Sequence, residues 1–220
     1  MARSRLTREK ANIDNRGACC NENDLWEANS RSTVYTPHPC SKPGVFACIG
    51  DDCGSNGVCD KAGCSYNAYK EGIKNFYGPG GTIDTNKPFT VVTQFLTTDN
   101  TTAGALREIR RVYVQGGKVI PNAKSAAGVD SVTDKVCDWN KPFHNLGELK
   151  GFGEAAQRGM VLTFSIWNDV GGFMKWLDQG NAGPCNATEG DPAFIKKNTP
   201  DTSVTFSKVK WGDIGTTYAH

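Results

Sequence analysis

The sequence predicts an all-β, loop-rich chain folded as an antiparallel β-sandwich, and three observations predict it. Glycine is abundant (25 of 220 residues), Asn and Thr are frequent, and the apolar runs between them are short. The strand-like runs are separated by long irregular connections rather than by amphipathic helices. Only residues 146–158 carry a helical pattern, a short one weakened by Gly147, Gly151 and Gly153. A chain of this length has room for one domain with a real core, and it contains neither an internal repeat nor a linker.

Taken in order, residues 1–18 (MARSRLTREKANIDNRGA) have no apolar stretch of the kind a signal peptide needs and no helical pattern. They read as a truncation joint or an unrelated lead-in. Residues 19–40 (CCNENDLWEANSRSTVYTPHPC) mix strand formers, aromatics and acids. Residues 41–72 form a cysteine-rich loop region with almost no periodicity, and 76–85 (FYGPGGTIDT) a turn-rich joint broken at Pro79-Gly80-Gly81. The β-branched and aromatic run 88–97 is a strand, and 109–122 a hairpin about Gly116-Gly117. Residues 125–145 are irregular. The run 159–167 (GMVLTFSIW) is nearly continuously apolar, as a strand buried on both faces would be, and 203–215 alternates imperfectly as a closing strand.

The chemistry concentrates in 19–40, where Glu22, Asp24 and Glu27 stand in the spacing E-x-D-x-x-E with His38 shortly after. Two carboxylates flanking a scissile bond are the minimum equipment for glycosidic hydrolysis, one attacking or activating water and the other protonating the leaving oxygen. A third acid between them can hold one by a hydrogen bond and raise the proton affinity of its neighbour. Parity imposes a condition. On a regular strand Glu22 and Asp24 share a face and Glu27 points to the other. For all three to face one cleft, a β-bulge must absorb a residue between Asp24 and Glu27. The plain alternative is a solvated acidic strand edge.

Bulk properties narrow the classes. The net charge of +2 offers no electrostatic reason to expect nucleic acid or an anionic membrane as partner. No run approaches the roughly 18 consecutive apolar residues of a membrane span. The nine cysteines are read as disulfide formers in an oxidising compartment rather than as a zinc site, so no metal and no cofactor is expected. The sequons at Asn100 and Asn186 fit a secreted chain.

The paired cysteines ahead of the acids, the DLWEANS run and the TPHPC exit resemble the catalytic strand of family 7 glycoside hydrolases, the retaining cellulases. VTQF, SIWNDV, MKWLDQGNAGPC and KWGDIG extend the resemblance to Thr217. The resemblance implies a concanavalin-like jelly-roll β-sandwich, with 19–220 as part of a single catalytic domain that is incomplete on its N-terminal side. It implies Glu22 as nucleophile, Glu27 as acid/base, Asp24 as the supporting carboxylate and His38 as a residue lining the site. With retention, the Glu22 and Glu27 carboxyls are expected about 5–5.5 Å apart. Trp167 and Trp176 fall at sugar-stacking positions, where indole packs on the C–H faces of glucose rings. Trp167 also fits a core position, as does Trp26. Lys70, a candidate substrate-binding residue, stands where many relatives place a cationic residue, but a solvated lysine is the stronger reading.

The family pattern also implies the pairs Cys40–Cys59, Cys48–Cys53 and Cys64–Cys137. Cys19, Cys20 and Cys185 are left unbridged, their family partners falling in the part that the resemblance does not cover. A half-sandwich of this kind is expected to expose apolar faces and unpaired strand edges. Only five residues, GSNGV, separate Cys53 from Cys59, and short loops leave a groove open to mid-chain attack. The resemblance therefore implies a secreted, monomeric endo-acting hydrolase of a β-1,4-glucan such as cellulose. The alternatives are an exo-acting cellobiohydrolase and, from another class, a non-catalytic sugar-binding jelly roll or an inactive fragment, since fold alone does not dictate function.

Overall fold

The structure is a computed structural model and describes residues 16–55 and 57–218. Ten strands run β1 Gly17–Cys19, β2 Glu22–Ala28, β3 Thr33–His38, β4 Phe46–Cys48, β5 Tyr77–Gly78, β6 Ile83–Asp84, β7 Thr90–Thr97, β8 Leu106–Gln115, β9 Lys118–Pro121 and β10 Ser131–Val132. Four helices follow: α1 Lys141–Asn145, α2 Glu148–Gln157, α3 Lys175–Asp178 and α4 Pro192–Asn198.

The main sheet runs β10-β8-β7, with β9 paired to β8, all antiparallel. β7 is the expected strand of 88–97, and β8–β9 is the expected hairpin, turning at Gly116-Gly117 where both φ angles are positive. β8 turns Leu106, Ile109 and Tyr113 inward. They join Phe76, Ile83, Val132, Phe143, Leu149 and Phe152 in one core, where fully burying an aliphatic or aromatic side chain contributes roughly 1.5–3 kcal/mol.

The helix expected over 146–158 forms as α2 and packs on β8. Gly153, which weakens the helix by propensity, is what permits that packing: a Cβ there would lie 2.6 Å from Leu106 Cβ. α1 comes out of a stretch that pattern alone reads as irregular. Its signal is local, because Asn140 caps it by accepting from the Phe143 N–H and Pro142 fits the first turn. α4 uses the same device, with Asp191 accepting from Ala193 N–H.

Three further expectations need correction. The joint at 76–85 closes on a two-residue parallel pair, β5–β6, so the pairing is not wholly antiparallel. Residues 159–167 form no strand, and Val161 is 89% exposed rather than buried on both sides. Residues 203–215 form no closing strand either, and Trp211 is 90% exposed. The physical reason is common to both runs: apolar composition suits a strand, but a strand exists only where a neighbour takes its N–H and C=O groups. Among the described residues neither run has a ladder partner. They meet through side chains instead, with the Phe164 and Phe206 rings 4.7 Å apart.

The disulfides are Cys40–Cys59, Cys48–Cys53 and Cys64–Cys137, as expected, and Cys19, Cys20 and Cys185 are free. Cys19 Sγ lies 2.9 Å from Cys48 Sγ. Because Cys48 is already oxidised, that cluster is not a set of thiolates for a metal.

Candidate active site

β2 and β3 form the antiparallel pair that carries the acids. Glu22 faces His38, Asp24 faces Thr36, and then the register slips so that Glu27 faces Val34. His38, Thr36 and Val34 alternate regularly on β3, so their three partners share one face of the pair. The bulge demanded by parity is present between Asp24 and Glu27.

A bulge frees backbone groups from the ladder, and here the Leu25 carbonyl is taken by Arg111 of β8, whose guanidinium donates to it. Arg111 is fully buried, its guanidinium carbon 4.5 Å from the Tyr35 ring centroid and 5.8 Å from that of Tyr113. Sequence reasoning passed over Arg111, since an arginine in a strand reads as an exposed charge. Trp26, inside the bulge, turns to the core and meets Phe89 and Phe206 edge-on at 6.3 and 6.0 Å.

The electrostatics separate the two glutamates. Partial burial, then the Asp24 charge and more weakly Glu22, push the Glu27 carboxyl up to about 7, while His38 pulls the other way. Glu22 is more accessible. Desolvation by its surroundings, the Asp24 charge and a hydrogen bond shared with Asp24 raise its carboxyl, and His38 again opposes. An acid that stays protonated near neutrality beside one whose proton is contested is the arrangement general acid catalysis needs.

His38 joins the group directly. Its Nε2 meets Asp24 Oδ2 at 2.9 Å, and its Nδ1 donates to the Asp60 carbonyl at 2.8 Å. Burial alone would depress its pKa, but these two hydrogen bonds and the charges of Asp24 and Glu22 outweigh burial and raise it. The loop carrying Asp60 lies along β3, with Asp60 N–H donating to Pro39 O at 2.9 Å and Cys64 N–H to Pro37 O at 3.2 Å. Asp60 is another residue that sequence reasoning missed; its position between Cys59 and Cys64 gave no chemical signal.

The remaining predicted residues lie apart from this cluster in their contacts. Trp167 and Trp176 stack on each other, centroids 6.1 Å apart and planes 17° from parallel, each about half exposed. Trp167 is therefore not a core residue here. Lys70 is exposed, with Nζ 5.9 Å from the ring centroid of the exposed Trp139.

Comparison with known proteins gives a consistent result. The sequence profile of glycosyl hydrolase family 7 matches residues 2–218, which takes in most of the lead-in before Cys19. The endo-beta-1,4-glucanase celB of Aspergillus oryzae is 57% identical over 215 residues, covering 96% of this chain and 52% of that protein. The solved structure of an endoglucanase I complexed with cellobiose superposes with a TM-score of 0.81 at 47% identity, covering 86% of this chain and 49% of that one. A family 7 cellobiohydrolase from Daphnia pulex gives 0.79 at 40% identity, over 83% and 48%. The chain spans about half the length of the relatives it matches. The likeness bears out the all-β jelly-roll fold class.

Proposed function

This chain belongs to glycosyl hydrolase family 7, and on that premise we propose that it carries the reacting acids of an enzyme that hydrolyses internal β-1,4-glucosidic bonds of cellulose or a related glucan with retention. The observation that carries the proposal is the bulged strand, which sets Glu22, Asp24 and Glu27 on one face with Glu27 up to about 7.

Glu22 acts as nucleophile. Its carboxylate attacks the anomeric carbon while Glu27 gives its proton to the departing glycosidic oxygen, leaving a glycosyl-enzyme ester and a deprotonated Glu27. Glu27 then takes a proton from water, which attacks the same carbon and releases Glu22. Asp24 supports Glu22 through their shared hydrogen bond and is itself held by His38. The stacked, half-exposed Trp167 and Trp176 offer indole faces to sugar rings, and Lys70 with its cation at the surface suits hydroxyl binding.

Endo action is supported by the short five-residue span between Cys53 and Cys59 and by the endoglucanase names of the relatives. The likeness to a cellobiohydrolase makes exo action the second reading. Secretion is supported by the three disulfides, which persist in oxidising compartments.

The test is viscometry of soluble carboxymethyl-cellulose with the full-length protein. A viscosity drop that outruns the release of reducing ends is the endo result. Cellobiose release without a matching drop means exo, and glucan binding without hydrolysis overturns the proposal.

A further inference from the structure

His38 is gripped from two sides, and the second grip has no part in the chemistry above. Asp60 is fully buried, and its carboxylate accepts from Ala62 N–H at 3.2 Å, Gly63 N–H at 3.0 Å and the Asn140 amide at 2.8 Å. Asn140, 4% exposed, also donates to Gly63 O at 2.8 Å while its side-chain oxygen caps α1. The loop is stapled at both ends: Cys59, just before Asp60, to Cys40, and Cys64, just after Gly63, to Cys137. Gly63 has φ +68° and backs directly onto the imidazole, where a Cβ would lie 2.6 Å from His38 Cε1 and 2.3 Å from Thr36 Cγ2.

We propose that Asp60 and Asn140 are positioning residues: they hold the Asp60 carbonyl on His38 Nδ1, which fixes the tautomer and ring orientation of His38 and thereby the orientation of Asp24 beside Glu22. The proposal rests on reading Glu22, Asp24 and Glu27 as the reacting acids. A carbonyl can only accept, so Nδ1 must carry a hydrogen. Nε2 then shares one proton with Asp24 Oδ2, which commits that oxygen to His38 and leaves Oδ1 for Glu22. The charged and polar groups facing the imidazole are Asp24, Glu22 and, more weakly, Glu27 from β2 and the Asp60 carbonyl from the loop. A buried carboxylate taking three N–H bonds is a costly way to hold a loop unless the loop must be held closely.

The experiment reads the ring nitrogens by NMR on the ¹⁵N-labelled chain, whose three histidines are separated by the spectrum of His38→Gln. In the unaltered chain, His38 should keep a hydrogen on Nδ1 throughout its titration. Asn140→Ser retains an oxygen to cap α1 but removes both amide donors. It should lose the fixed tautomer, showing exchange between Nδ1–H and Nε2–H forms and a lower titration midpoint, with the circular dichroism spectrum unchanged. A His38 that rests in the Nε2–H form in the unaltered chain overturns the proposal whether or not the variant folds. So does a folded Asn140→Ser with an unchanged tautomer. Because these spectra need no turnover, a failure of glucan hydrolysis would leave them readable and would count against the proposed function instead.

Discussion

Residues 16–158 and 159–218 have similar apolar runs and opposite fates. In the first region β7 and β8 pair over their length, and Ile109, Leu149 and Phe152 are fully buried. In the second, GMVLTFSIW and the run from Ser203 lie exposed and unladdered, touching the first region through Phe206 and Trp26. The difference teaches that an apolar pattern specifies which face wants to be buried but not what will bury it. β8 has β7, β9, β10 and α2 around it; the later runs have none of these among the described residues, and the matched relatives are about twice as long as this chain.

The comparison can be broken by substitution. Ile109→Ala, in the paired region, should lower unfolding free energy by on the order of 2–5 kcal/mol, through lost transfer energy and a cavity. A urea midpoint unchanged by that substitution would mean that the first region has no fixed core. Arg111→Met keeps much of the volume between Tyr35 and Tyr113 but leaves the Leu25 carbonyl unpartnered. The expected loss is about 1–3 kcal/mol, and amide exchange at residues 24–27 should quicken, because the bulge loses its support.

A smaller effect comes from Glu27. Its folded value, about 7, lies above the ordinary 4.5, so the folded state binds its proton more tightly. Stability from this group is therefore fully present below about 4.5 and is lost as pH rises to about 7. Melting temperature should decline across that window in the unaltered chain and more weakly in Glu27→Gln. Smallest of all should be Val161→Lys in the unladdered run: a change within about 0.5 kcal/mol, with less binding of a hydrophobic dye. A loss as large as that of Ile109→Ala would show that 159–167 is buried in solution.

Much of the site was legible because its signals are local. The E-x-D-x-x-E spacing on a strand demanded a bulge, and the bulge lies between Asp24 and Glu27. The β8–β9 hairpin and α2 were likewise written in turn residues and periodicity. What was not legible depends on contacts remote in sequence. Arg111 reaches a carbonyl 86 residues away, and Asn140 reaches Asp60 across 80. The apolar run 159–167 looked like a buried strand because composition reports a preference, while burial needs a partner that composition does not name.

The most direct test of the central account, that the bulge presents Glu22 as nucleophile and Glu27 as acid/base, is the stereochemistry of azide rescue. With an activated aryl β-glucan substrate, Glu27→Gln should still form the glycosyl-enzyme, release phenol in a burst and, with added azide, yield the β-glycosyl azide, since a small anion needs no general base. Glu22→Gln should show no burst and, if rescued, give the α-azide by direct attack. The β-azide from Glu22→Gln together with the α-azide from Glu27→Gln would contradict the assignment.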